Sequence, residues 1–152
     1  MHSNCNESMK KTFYLLRHYP LTLVCVALVW FLSLFIYMPE TPLDDVPFID
    51  KWTHLVMYGG MCIVMWVEHM RCHKHLVAWK LWLYAVLGPI AMGGVIELLQ
   101  KYATTNRSGE WLDFWADSLG VVLGAVVGLT IHRIRQRVIL GTKKDSFDKR
   151  KG

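Results

Sequence analysis

Four stretches of the chain are long and almost free of charge, and short polar segments separate them. Leu21 to Met38 has no charged residue over 18 positions. As a helix it extends roughly 27 Å, close to the thickness of a bilayer's hydrocarbon core. Trp52 to Val67 is apolar apart from Thr53 and His54, Leu81 to Leu99 carries only Glu97, and Trp111 to Ile131 carries Asp113 and Asp117 near its start. None of them has the broad polar face that a water-facing helix needs. The connections are short, as antiparallel neighbours require. This pattern predicts an all-α polytopic membrane protein, with four transmembrane helices in an antiparallel bundle over residues 20–131. Lys10, Lys11 and Arg17 precede the first run as in a signal peptide, but it ends Phe35-Ile36-Tyr37-Met38-Pro39 with no small-residue cleavage site. It is therefore expected to stay as an anchor.

Composition narrows the choice. The 152 residues allow one domain; 53% are hydrophobic and only 19% charged, below the roughly one quarter usual in soluble domains. Disorder, a disulfide scaffold and a highly charged nucleic-acid arm are excluded. The net charge of +5 gains meaning from its placement. With four spans, 14 of the 17 Lys and Arg fall on one set of alternate sides and three on the other. The positive-inside rule then puts both termini in the cytoplasm and the loops 39–51 and 100–110 outside. Residues 1–19 are expected as a cytoplasmic N-terminal segment, and residues 132–152 as a basic cytoplasmic tail, the one candidate for disorder. The bilayer, with its anionic inner leaflet, is the expected partner. Nucleic acid is not, because it would explain the tail but not the apolar helices. Six of the seven Trp lie near predicted membrane boundaries; only Trp30 lies deep in a span.

That orientation collects the polar residues at one depth, near the outer leaflet. Asp50, Lys51 and His54 begin the second helix, Glu97 and Gln100 end the third, Arg107 follows in the loop, and Asp113 and Asp117 begin the fourth. Asp50 and His54 are four apart, as are Asp113 and Asp117, so each pair shares a helix face, and Tyr58 continues the His54 face. Positions 113, 117, 120, 124 and 128 fall within roughly an 80° arc of a helix. Two carboxylates therefore sit above a glycine groove of Gly120, Gly124 and Gly128, through which another helix can approach closely. Gly93 shares a face with Glu97 and Gln100, beyond a kink expected at Gly88-Pro89. The cluster reads either as interhelical glue or as a polar pocket opening outward, with Arg107 placed to grip an anion. No metal or other cofactor is assigned. His69, Cys72, His73 and His75 lack a standard ligand spacing, and no disulfide is expected.

These residues resemble the VanZ-like family of bacterial membrane proteins. Asp50-Lys51-Trp52-Thr53-His54 with Tyr58 looks like its D-K-x-x-H-x-x-x-Y opening, and Glu97-Leu98-Leu99-Gln100 like its E-x-x-Q. Arg107, Asp113, Gly120 and Gly124 resemble its final block, with Asp117 standing where the family commonly has Asn. The resemblance covers roughly residues 20–131. It implies a multi-pass protein of the bacterial cytoplasmic membrane with a cell-envelope role. The family is named for a protein linked to glycopeptide (teicoplanin) resistance, so antibiotic resistance is one expected context. The leading expectation is a non-enzymatic protein that binds an anionic envelope ligand, such as a lipid-linked cell-wall intermediate or precursor. The alternative is an intramembrane hydrolase or transferase on a lipid-linked substrate. The sequence sets no oligomeric state.

Overall fold

The apolar runs fold as helices. A computed structural model describes residues 10, 12–35, 48–73, 78–103 and 110–148, and among these no strand occurs. The elements are α1 (Thr12–His18), α2 (Pro20–Phe35), α3 (Ile49–Cys72), α4 (Ala78–Trp82), a π-helical turn Leu83–Leu87, α5 (Gly88–Ala103) and α6 (Trp111–Asp148). Two helical stretches are long and apolar enough to cross a membrane: Leu83–Tyr102, with 20 residues, and Trp111–Gly141, with 31. The pair α1 and α2, bent by 97° at their junction, makes a third if it counts as one span. The described residues thus form a helical membrane protein with two or three candidate spans.

The 24-residue α3 is not among these candidates, and its position explains its polarity. From Met61 to Met70 none of its residues is exposed, and its His54, Tyr58 and Glu68 are buried. It is the central helix, and its His54, Tyr58 and Glu68 meet protein. Lipid-type side chains lie outside instead. Leu28, Phe31, Leu98, Leu119, Leu123 and Val126 are exposed, whereas Glu68, Glu97, Asp113 and Asp117 are buried. Such an apolar exterior is stable against hydrocarbon and is an aggregation hazard in water.

The tightest contact joins α3 to α6 through glycine. A Cβ on Gly120 would overlap the Leu55 carbonyl oxygen, and one on Gly124 would lie 2.5 Å from the Gly59 oxygen. A Cβ on Gly128 would press on Trp66. The two backbones touch because three positions on one face of α6 lack side chains. Trp66 is thereby buried in the core rather than placed at the lipid boundary the sequence suggested.

Proline shapes the third helical segment. Pro89 has no N–H for the Ala85 carbonyl four residues earlier. The helix widens to a π turn just before it, where the Gly88 N–H bonds to Leu83 O, and the Cys62 thiol donates to Ala85 O at 3.1 Å. Both ends of α2 are tied down by side chains from other helices. The buried Glu68 carboxylate accepts the N–H groups of Leu21 at 3.0 Å and Thr22 at 2.8 Å, a capping interaction at the positive end of the helix dipole. At the other end the Gln100 amide donates to Ser33 O at 2.8 Å.

The expected basic tail is not separate from the last span. α6 continues beyond Ile131 to Asp148 as one helix. No proline interrupts it, and Arg, Lys, Gln and Leu are good helix formers, so charge density changes the solvent without ending the helix. Arg135 holds this extension to α3 by donating to Met70 O at 2.8 Å.

Candidate functional site

The polar residues of three helices meet at one end of the bundle: the start of α3, the end of α5 and the start of α6. His54 and Asp117 form the innermost pair. His54 Nδ1 lies 2.9 Å from Asp117 Oδ1, and both side chains are buried. The pair exists because Gly120, one turn below Asp117, lets α3 and α6 touch at Leu55, the neighbour of His54. Gly93 on α5 completes the fit. A Cβ there would lie 3.0 Å from Asp117 Oδ2 and 3.4 Å from the Tyr58 ring. Tyr58 is fully buried against this wall.

Lys51 forms an outer layer. Its ammonium lies 2.9 Å from Asp113 Oδ1, 2.8 Å from Glu110 Oε2 and 3.5 Å from Asp50 Oδ2. Asp113 is buried, whereas Asp50 and Glu110 are half exposed. Asp50 also lies 3.8 Å from His54 Nε2, linking the two layers.

Glu97 belongs to both the site and the scaffold. Its Oε2 accepts the Glu110 N–H at 2.9 Å, and the Glu110 carbonyl accepts the N–H of Asp113, which opens α6. The carboxylate therefore fixes where α6 begins. Its other oxygen, Oε1, is buried without a hydrogen-bond partner. Gln100, one turn along α5, caps α2 through Ser33 and so ties the cluster to a fourth helix.

The structure thus brings together Asp50, Lys51, His54, Tyr58, Glu97, Asp113 and Asp117, with Gly93 and Gly120 making the space. Gly124 and Gly128 serve the α3–α6 contact further along. Arg107 lies outside the described residues. Sequence reasoning passed over Glu110, whose only signal is its place three residues before Asp113, at the N-cap position of a helix. It also passed over Glu68, which directly follows the apolar run Trp52 to Val67.

Charge at this end is unbalanced. Among the described residues, Asp50, Glu97, Glu110, Asp113 and Asp117 stand against Lys51, Lys101 and a histidine. One ligand-type atom from each of His54, Glu97 and Asp117 lies within 4.8 Å of the others, and all three residues are buried. Asp50, His54 and Asp113 make a second, more exposed trio. At the opposite end the His69 and His73 rings stack at 4.3 Å, and Tyr19 Oη approaches their Nδ1 atoms at 3.2 and 3.3 Å. His75 lies outside the described residues. No protein-family profile, characterised protein or solved structure matches the chain.

Proposed function

We propose that the chain is a four-span, VanZ-like protein of the bacterial cytoplasmic membrane. In this reading both termini are cytoplasmic, and the polar cluster at the outer end of the bundle binds an anionic cell-envelope ligand. The fourth span is α3, shielded by its neighbours and therefore free to carry polar residues. The observation that carries the reading is the buried convergence of His54, Glu97, Asp113 and Asp117 at one end of an otherwise apolar bundle. Interhelical glue alone needs its polar atoms paired; here the buried Oε1 of Glu97 is left over. The order of the motifs, which resembles the VanZ-like pattern, supports the same assignment. Because acids dominate the described part of the cluster, gripping an anion falls to Arg107, three residues before Glu110. A guanidinium there presents a fork that matches phosphate or carboxylate.

The test is native mass spectrometry of the purified protein with a panel of anionic lipids that includes polyisoprenyl phosphates. Bound lipid that disappears in Arg107→Ala, with accumulation unchanged, is the expected result. Equal lipid retention by wild type and Arg107→Ala across the panel would remove the reading's main support.

A second reading rests on the His54–Asp117 bond. A carboxylate that holds an imidazole at 2.9 Å is the arrangement of a general base, which an intramembrane hydrolase or transferase would need. Turnover of lipid-linked substrates by wild-type membranes, lost in His54→Ala membranes, would favour it over a binding role.

A further inference from the structure

We infer that His54, Glu97 and Asp117 form a binding site for one divalent transition-metal ion of the Zn2+ or Mn2+ type. The inference goes beyond the ligand-binding reading and does not depend on it. Its first support is geometric. Three side chains from three different helices each place a ligand-type atom within 4.8 Å of the others, in a buried position. Two ligands about 2.1 Å from an ion lie roughly 3.0 Å apart at an octahedral angle and roughly 3.4 Å apart at a tetrahedral one. The observed separation of His54 Nδ1 and Asp117 Oδ1 is 2.9 Å.

The second support is independent of the clustering. Glu97 Oε1 is buried and has no hydrogen-bond partner, in a residue only 6% exposed. A carboxylate oxygen left bare in a low-dielectric site is costly, and a cation is what it lacks. Lys51 does not fill this role, because its ammonium is engaged by Asp113 and Glu110 in the outer layer. A neutral imidazole with two carboxylates carries a charge of −2, which one divalent ion cancels. The donor set of one nitrogen and several oxygens suits zinc, manganese or iron(II) better than calcium or magnesium, which prefer oxygen alone. Gly93 is also accounted for, since any side chain there would press on Asp117 Oδ2.

The test uses full-length protein in detergent, stripped with a chelator and titrated with Zn2+ and, separately, Mn2+. His69 and His73 are replaced by Ala throughout, so that the opposite end of the bundle contributes nothing. One ion per chain is expected, with at least a tenfold weaker affinity in Glu97→Gln and Asp117→Asn. X-ray absorption of the bound zinc, made on the protein with its cluster intact, is expected to show one imidazole and otherwise oxygen ligands. This second readout stands even if a cluster variant fails to fold. Stoichiometry below one tenth of an ion per chain, or a zinc shell containing sulfur, would overturn the inference. So would affinity unchanged in both Glu97→Gln and Asp117→Asn. Because the readout is metal content, failure here is distinct from failure of the lipid-binding test.

Discussion

Replacing Gly120 with alanine adds a single methyl group at the tightest point of the bundle. That Cβ would overlap the Leu55 carbonyl oxygen and lie 3.1 Å from both the Gly59 nitrogen and the Leu55 carbonyl carbon. All three obstacles are backbone atoms of α3, so no side chain can turn aside. The helices must separate by about 1 Å, and a gap of that size forfeits a quarter to a half of each dispersion contact across the seam. Overpacking of this kind costs about 1–3 kcal/mol, and the backbone location argues for the upper half of that range. About 2–3 kcal/mol corresponds to a roughly 30- to 150-fold change in the folding equilibrium. Gly60 is the internal control. It lies on the same helix as Gly59, but a Cβ there meets nothing within 4 Å. Alanine at position 60 is expected to be neutral or to stabilise by up to about 1 kcal/mol through helix propensity. Equilibrium unfolding in mixed micelles, followed by tryptophan fluorescence, measures both variants against wild type. Equal stabilities for Gly120→Ala and Gly60→Ala would refute the account of the α3–α6 contact.

Two further changes probe polar atoms within the bundle. Cys62→Ala removes the donor to the Ala85 carbonyl beside Pro89 and is expected to cost about 1 kcal/mol by the same unfolding assay, while Cys62→Ser retains part of the loss. Equal stability of all three proteins would show that the thiol contact contributes nothing. Lys51→Met leaves the buried Asp113 carboxylate without its cation and is expected to destabilise by about 2–4 kcal/mol; Asp113→Asn in that background is expected to recover part of it. Simple additivity of the two changes would contradict the pairing.

The legible part of this fold was whatever depends on a single helix. The lengths of the apolar runs gave the helices, and the spacing of Asp113, Asp117, Gly120, Gly124 and Gly128 placed acids above a groove on α6. What occupies that groove was not legible, because pairing between helices is a tertiary choice; Gly59 and Trp66 carried no signal that they would meet it. The Cys62 thiol is a similar case, since its acceptor becomes needy only through a proline 27 residues away. Glu68 was not singled out, because its role depends on another helix: it caps the start of α2. Position 131 looked like an end because the charge pattern changes there, yet helices stop at missing backbone bonds, and none is missing before Asp148. In the cluster itself the residue types and their common depth were readable. The partition into a Lys51 layer and a His54–Asp117 layer was not, because it depends on distances of about an ångström between helices.

The envelope-ligand role proposed for the cluster rests on its facing outward, and substituted-cysteine labelling tests that most directly. In a background with Cys5, Cys25 and Cys72 replaced by Ala and Cys62 by Ser, single cysteines are placed at Asp44, Asn106, Lys74 and Lys144. The account expects Asp44→Cys and Asn106→Cys to react with an impermeant thiol reagent added to intact spheroplasts. Lys74→Cys and Lys144→Cys should react only after the membrane is opened. Labelling of positions 74 and 144 in intact spheroplasts, with 44 and 106 protected, would place the cluster on the cytoplasmic side and contradict the account.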